Sequence, residues 1–208
     1  MSPTLPPLAC HYLLVIHIPL IIDSQGRRWI ERLWAVDLAR HTEYIRHLTV
    51  ACPFVHAERP ADTVAADERG LRFVEIAFPQ RSLVSMLRAP LTLLQLWCLI
   101  GRHDFIHSIY GNWWPFSTPY LVDRIARWRG KCLMVVIESS DWRLLHGERA
   151  SALRRFQQRA GEALNRWAVS LADLAVFTHE GYRRDLMPEH ARHGHVIPAS
   201  WIDEATAL

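Results

Sequence analysis

With 208 residues, the chain is long enough for one large α/β domain but short for two nucleotide-binding domains and their linker. Hydrophobic residues make up 50% of it and charged residues 22%, which excludes a disordered chain. The net charge of +3 is too small to indicate nucleic-acid binding.

The cysteines and the apolar segments indicate in which part of the cell the protein is expected. Four cysteines lie far apart with no CxxC pair, which predicts buried free thiols in the cytosol. Residues 10–22 and 89–100, the longest apolar segments, are shorter than the roughly 18–20 residues of a membrane span. The N-terminus has no basic residue before its apolar run, so no secretory signal is expected.

Strand-like and helix-like stretches alternate along the chain. Short apolar runs predict strands at residues 11–18, 47–52, 71–77, 104–110, 132–137, 174–178 and 195–198. Helical spacing predicts helices at 28–46, 82–100, 116–129 and 149–169, with Pro90 kinking or splitting the second, and a surface loop at 55–70. This order predicts an α/β fold: a Rossmann-like parallel sheet with helices on both faces.

In such a sheet, ligands bind beyond the carboxyl ends of the strands. The strand-to-helix loops there are predicted at residues 23–27, 111–115, 138–143 and 178–182. We expect these four loops to converge around one cleft.

Two sequence runs resemble a known family. ADLAVFT at 172–178, followed by YRRDL at 182–186, is similar to the "ADxVxxxS…xxxDL" strand and helix of GT-B glycosyltransferases of the glycosyltransferase-1/glycogen-synthase-like class. VIPASWID at 196–203 resembles their "VIPNGVD" hinge strand. The resemblance implies an N-terminal, acceptor-side domain at 1–198 and the start of an interdomain hinge at 199–208.

The resemblance also implies partners. A glycan or lipid-linked acceptor would bind this chain, which would hold no cofactor. The nucleotide-sugar donor would bind a C-terminal domain or partner chain, expected beyond Leu208, so this chain alone is expected to be inactive. The chain departs from the family in two places: a single Gly26 replaces the glycine-rich first loop, and Glu138-Ser139-Ser140 replaces the usual His-Asp.

The candidate site residues come from the predicted ligand edge. Glu138 ends an apolar strand and could orient an acceptor hydroxyl or act as a base; alternatively it caps the next helix or pairs with Arg143. The residues predicted to bind the acceptor are Gln25, Gly26, Arg27, Asn112, Trp113, Trp114, Ser139, Trp142, His179 and Tyr182.

Two pairs of residues, the adjacent tryptophans and the adjacent arginines, each have a predicted role in binding and an alternative structural role. Trp113 and Trp114 could stack on sugar rings beside the Asn112 amide, or pack in the core and at an interdomain surface. Arg27 and Arg28 are predicted at the start of the first helix, where they could hold a phosphate or remain solvated.

Twelve histidines do not predict a metal site. His103 and His107 are four residues apart on or beside a strand, about 13 Å, too far to share an ion. His190, His193 and His195 have no nearby cysteine.

The stretch 153–167 carries four arginines among apolar residues. It could lie on an anionic membrane, making the protein peripheral at the inner membrane face, or be an ordinary amphipathic helix packed on the sheet.

Three function classes follow. The first is a glycosyltransferase, or its N-terminal part, presenting an acceptor to a nucleotide sugar. The second is a non-catalytic Rossmann-like module that binds a partner chain or glycan. A nucleotide-dependent oxidoreductase is disfavoured because no GxGxxG follows the first strand.

Overall fold

A computed structural model describes residues 7–67, 69–76, 83–110, 117–139, 142–144, 147–188 and 191–197, with the backbone alone for residues 83–89. The predicted hinge at 199–208 lies outside these residues.

The architecture is α/β, with a seven-stranded parallel sheet flanked by helices. The strands are β1 Leu8–Val15, β2 Leu20–Ile22, β3 Arg28–Glu31, β4 Ile45–Cys52, β5 Phe54–His56, β6 Thr63–Ala65, β7 Leu71–Glu75, β8 Phe105–Tyr110, β9 Cys132–Ile137, β10 Leu174–Phe177 and β11 Gly194–Val196. The helices are α1 Arg32–Tyr44, α2 Leu83–Gly101, α3 Thr118–Trp128, α4 Ala152–Leu171 and α5 Glu180–Leu186. The large sheet has the order β11-β10-β9-β8-β1-β4-β7, and a second sheet has the order β5-β2-β3-β6.

The fold class and the predicted strands are confirmed. All seven predicted strands occur, with ends shifted by at most three residues. The four predicted helices occur too. α2 runs through Pro90 without a break, so of the two predicted effects of Pro90 the split is wrong and the kink stays a prediction. The chain divides into two compact units, one with the described residues through Ile106 and one with those from His107. The single domain at 1–198 stays a prediction.

In the first unit, β4 lies between β1 and β7, and both pairings are parallel. Central residues of these strands, including Leu13, Leu14 and Val50, are fully buried. Strands that are covered on both faces are continuously apolar, which is why these strands could be predicted from the sequence.

The small sheet of the first unit was not predicted. β2 and β3 form an antiparallel hairpin. No element was predicted at β2, β3 occupies the start of the predicted first helix, and α1 begins only at Arg32. β5 and β6, inside the predicted loop 55–70, complete this sheet. The prediction failed because Trp29 and Ile30 are buried by pairing with strands distant in sequence, which local periodicity does not report.

In the second unit, β10 lies between β9 and β11 with parallel pairing to each. Leu133, Ile137, Ala175 and Phe177 of these strands are fully buried. The register pairs Ile137 with Phe177, so the two strands end side by side. Chemical groups that follow these residues therefore lie at one edge of the sheet.

Helix α4 packs through Gly161, Asn165 and Ala168, as an ordinary amphipathic helix does. Its first turn leaves Leu153 and Phe156 exposed. Contact of this helix with a membrane stays a prediction.

The four cysteines are free, as predicted, but not all are buried. Cys98 and Cys132 are exposed, and Cys132 is the first residue of β9. No helix within the described residues has the length and apolarity needed to cross a membrane.

Candidate functional site

Two strand-end loops of the second unit are tied together by Thr178. Its hydroxyl lies 3.3 Å from the carbonyl oxygen of Ile137 and 3.2 Å from that of Glu138, and donates to them. Its backbone N–H also donates to Ile137, at 3.2 Å. Glu138 and Ser139, both half-buried, therefore lie beside the loop that leads into α5.

His179 caps the N-terminus of α5 with its ring. Its Nδ1 accepts a hydrogen bond from the backbone N–H of Gly181 at 2.9 Å. An acceptor nitrogen carries no proton, so the neutral imidazole holds its proton on Nε2 and offers it as a donor. The ring is exposed and meets Tyr182 edge-on, with centroids 5.9 Å apart.

Arg143 links the loop after β9 to two helices. Its Nη2 lies 2.9 Å from Glu162 of α4, and its Nη1 lies 3.0 Å from Asp185 of α5. The guanidinium carbon also lies 5.4 Å from the ring centroid of Tyr182. This fork positions Tyr182 and covers one face of its ring, so a ligand can reach Tyr182 only from its remaining surface.

The helix-capping alternative for Glu138 does not fit the described residues. The first described helix after β9 begins at Ala152 and is capped by Ser151, whose side chain accepts from the backbone N–H of Arg154. Arg143 forms ion pairs with Glu162 and Asp185.

The assignment of Trp142 to acceptor binding is wrong. Its side chain is fully buried, and its indole N–H donates to Glu162 at 2.8 Å. Gly161 of α4 lies so close that a Cβ there would be 2.6 Å from the Trp142 Cβ. Trp142 is a core residue because α4 leaves space for its ring, and no ligand can contact it in this conformation.

Gln25, Gly26 and Arg27 form the turn of the β2–β3 hairpin in the first unit, not a helix N-terminus. Gly26 has φ 75°, a conformation that favours glycine. The helix-terminus role predicted for Arg27 and Arg28 is wrong, because Arg28 begins a strand and Arg27 is bonded to Asp23. Convergence of this turn with the loops of the second unit stays a prediction.

Asp23 organises that turn. Its carboxylate accepts from the backbone N–H groups of Gln25 and Arg27, both at 2.9 Å. It also accepts from the Arg27 Nε at 2.7 Å and the Trp29 indole at 3.0 Å. Burial alone would raise the pKa of Asp23, but these hydrogen bonds to the charged form hold it well below the ordinary value of 3.8.

This depressed pKa predicts acid sensitivity. A folded-state pKa below the unfolded one contributes stability that is present above pH 3.8 and is lost as the pH falls further. Asp23→Asn should therefore lower the urea midpoint at pH 7, and the gap from the parent chain should narrow between pH 4 and pH 2. Asp62→Asn, at an exposed carboxylate, is the control. A gap that is the same at every pH would contradict the prediction.

The second unit also buries a carboxyl that the sequence analysis missed. Asp123 accepts hydrogen bonds from Ser108 at 2.7 Å and from the Tyr110 hydroxyl. Burial raises its pKa to about 7, although both hydrogen bonds act in the opposite direction. Helical spacing in the sequence could have predicted this burial, because Asp123 is three residues from both Tyr120 and Ala126 on the apolar face of α3.

The remaining predictions concern the loop with the adjacent tryptophans and the binding of a metal ion. Asn112, Trp113 and Trp114 lie outside the described residues. Within the described part of the chain, no three His, Cys, Asp or Glu side chains are grouped so that they could hold a metal ion.

No known protein family and no curated protein matches this sequence. The relation to GT-B glycosyltransferases is therefore an interpretation of the runs at 172–186 and 196–203. What the site can bind depends on the chemical groups of its own residues.

That chemistry is a pairing of acceptor and donor groups. Glu138 places a carboxylate after β9, and His179 places an N–H donor after β10, at the same sheet edge. Sugar hydroxyls both donate and accept hydrogen bonds, so an acceptor carboxylate and a donor N–H are the two kinds of group that can bind them.

Proposed function

We propose that this chain binds the sugar acceptor of a GT-B glycosyltransferase at the carboxyl ends of β9 and β10. The observation that carries the proposal is the Thr178 hydroxyl, which joins the two strand-end loops by donating to Ile137 and Glu138. Open parallel sheets bind their ligands at this edge.

In this proposal, Glu138 accepts a hydrogen bond from an acceptor hydroxyl and, in the complete enzyme, favours its deprotonation. His179 donates through Nε2, and Ser139 offers a further hydroxyl beside them. A second domain or chain would hold the nucleotide sugar and close over the acceptor, which supplies proximity and excludes water.

The test is a titration of the isotopically labelled 208-residue chain with methyl glycosides of common hexoses and N-acetylhexosamines, and with short oligosaccharides, followed by NMR. We expect the backbone amides of Glu138, Ser139 and residues 178–182 to shift in a saturable manner. Shifts confined to other regions, or none at millimolar sugar, would remove this edge as the acceptor site.

Glu138→Gln should weaken binding of the best saccharide by about 10- to 150-fold, because a hydrogen bond to a charged group contributes about 1.5–3 kcal/mol. The melting temperature is measured on the same preparations, because glutamine keeps the shape of the glutamate side chain and a loss of affinity without a loss of stability assigns the effect to binding. Glu58→Gln is the matched control, because Glu58 is an exposed carboxylate in the first unit. Equal affinities for the two variants would contradict the assignment of Glu138.

A further inference from the structure

One side of α2 exposes large apolar side chains. Leu91 is 69% exposed, Leu94 60% and Trp97 41%, at a spacing of three residues that puts them along one side of the helix. Leu96 and Ile100 are buried on the opposite side. We refer to the side with Leu91, Leu94 and Trp97 as the α2 stripe.

Beside this helix the first unit contains a cleft of about 620 Å³, which we call the arginine cleft. Strands β1, β4 and β7 form one wall and the end of α2 the other. The described lining residues include three arginines, Arg46, Arg72 and Arg102, and three histidines, His11, His47 and His103, and none of the described lining residues is acidic.

The three arginines have no acidic partner among the described residues. In the part of the chain that the structure describes, the guanidinium groups of Arg46, Arg72 and Arg102 form no ion pair. The nearby Asp104 carboxylate accepts instead from the backbone N–H of His11, at 3.0 Å. Uncompensated arginines around one cleft attract an anion.

The three histidines of the cleft differ in their contacts. His103 is engaged on both ring nitrogens, with the Leu99 carbonyl at 2.7 Å and the Thr49 hydroxyl at 3.0 Å. This holds the end of α2 against β4. His11 and His47 stack on neighbouring strands with ring centroids 5.2 Å apart and remain exposed.

The arginine cleft and the α2 stripe are continuous. Gln95, Cys98 and Arg102 of the cleft follow each other at helical spacing, and Leu91 precedes Gln95 by one turn on the same side. Leu94 precedes Cys98 by one turn. Gln95 and Cys98 therefore lie between the arginines of the cleft and the exposed leucines of the stripe.

We propose that the arginine cleft and the α2 stripe together bind the surface of an anionic phospholipid membrane. The arginines contact lipid phosphates while Leu91, Leu94 and Trp97 enter the boundary between headgroups and acyl chains. A soluble anion would leave the stripe exposed to water, and a second copy of the chain would bring like-charged clefts together. The inference does not rest on the proposed function.

Flotation with vesicles tests the proposal on the 208-residue chain. Vesicles of equal parts phosphatidylglycerol and phosphatidylcholine should carry the protein, and vesicles of phosphatidylcholine alone should carry much less. Arg72→Gln/Arg102→Gln should lower the partition coefficient about 30-fold, because each arginine near an anionic surface contributes roughly a factor of five. Leu91→Ser/Leu94→Gln should lower it by about tenfold or more.

The matched control is Arg149→Gln/Arg192→Gln, which removes the same charge from exposed positions of the second unit, outside both the cleft and the stretch 153–167. It should retain binding, apart from the general effect of net charge. All changed side chains are exposed, so circular dichroism should show unchanged melting.

Three outcomes would overturn the proposal. The first is loss of vesicle binding in the Arg149/Arg192 control while the Arg72/Arg102 variant retains it. The second is a chain that sediments as a dimer, becomes monomeric on Leu91→Ser/Leu94→Gln and ignores vesicles. The third is saturable calorimetric binding of inorganic pyrophosphate at the arginines with no recruitment to anionic vesicles.

Discussion

Trp142→Ala should lower the free energy of unfolding by about 3–5 kcal/mol, the usual cost of deleting a buried tryptophan. The ring is fully buried, and its removal also leaves Glu162 without the indole donor. Urea unfolding monitored by circular dichroism measures the change. A loss under about 1 kcal/mol would show that the ring is not packed as described.

Gly161→Ala tests the same contact from the other side. Alanine normally stabilises a helix interior relative to glycine by roughly 1 kcal/mol. Here the added Cβ would lie 2.6 Å from the Cβ, 2.7 Å from the Cγ and 2.9 Å from the Cδ1 of Trp142, so the substitution should destabilise. Two of these three atoms are absent in Trp142→Ala, so Gly161→Ala should cost less in that background. Equal costs in both backgrounds would contradict the packing argument.

Asp123 should make the protein less stable as the pH rises from about 4 to 7. Its folded-state pKa of about 7 exceeds the ordinary value of 3.8, so the folded state binds the proton across this range and the unfolded state does not. At 1.36 kcal/mol per unit, the loss approaches about 4 kcal/mol and is complete above pH 7.

Asp123→Asn should remove this dependence, because the amide keeps the shape of the protonated carboxyl and does not ionise. The variant should be close to the parent chain in stability at pH 4 and more stable at pH 8. Urea titrations at several pH values check this, with Asp62→Asn as the exposed control. Parallel profiles for Asp123→Asn and the parent chain would show that Asp123 is charged in both states.

The large sheet could be predicted from sequence because each strand is an apolar run that needs no information from elsewhere in the chain. Cys132–Ile137 was predicted to the residue. The hairpin of Leu20–Ile22 and Arg28–Glu31 could not, since its burial depends on pairing with Phe54–His56 and Thr63–Ala65. Local helical spacing therefore predicted a helix where the small sheet forms.

The candidate site was predictable to the same extent. The placement of Glu138 and His179 at one edge followed from parallel strands alone. The burial of Trp142 did not, because it depends on a glycine in α4 that becomes a neighbour only after folding. The exposure of Leu91 and Leu94 was also hidden, since an apolar helix and a buried helix have the same composition.

The fork of Arg143 has a consequence for how this protein can vary. One planar guanidinium serves carboxylates on two different helices, Glu162 and Asp185, while its carbon lies near the Tyr182 ring. A lysine carries a single point charge and cannot reproduce that divided geometry. A substitution at any one of these four positions is thus constrained by the other three. The substitutions that the protein tolerates are those in which several of the four residues change together.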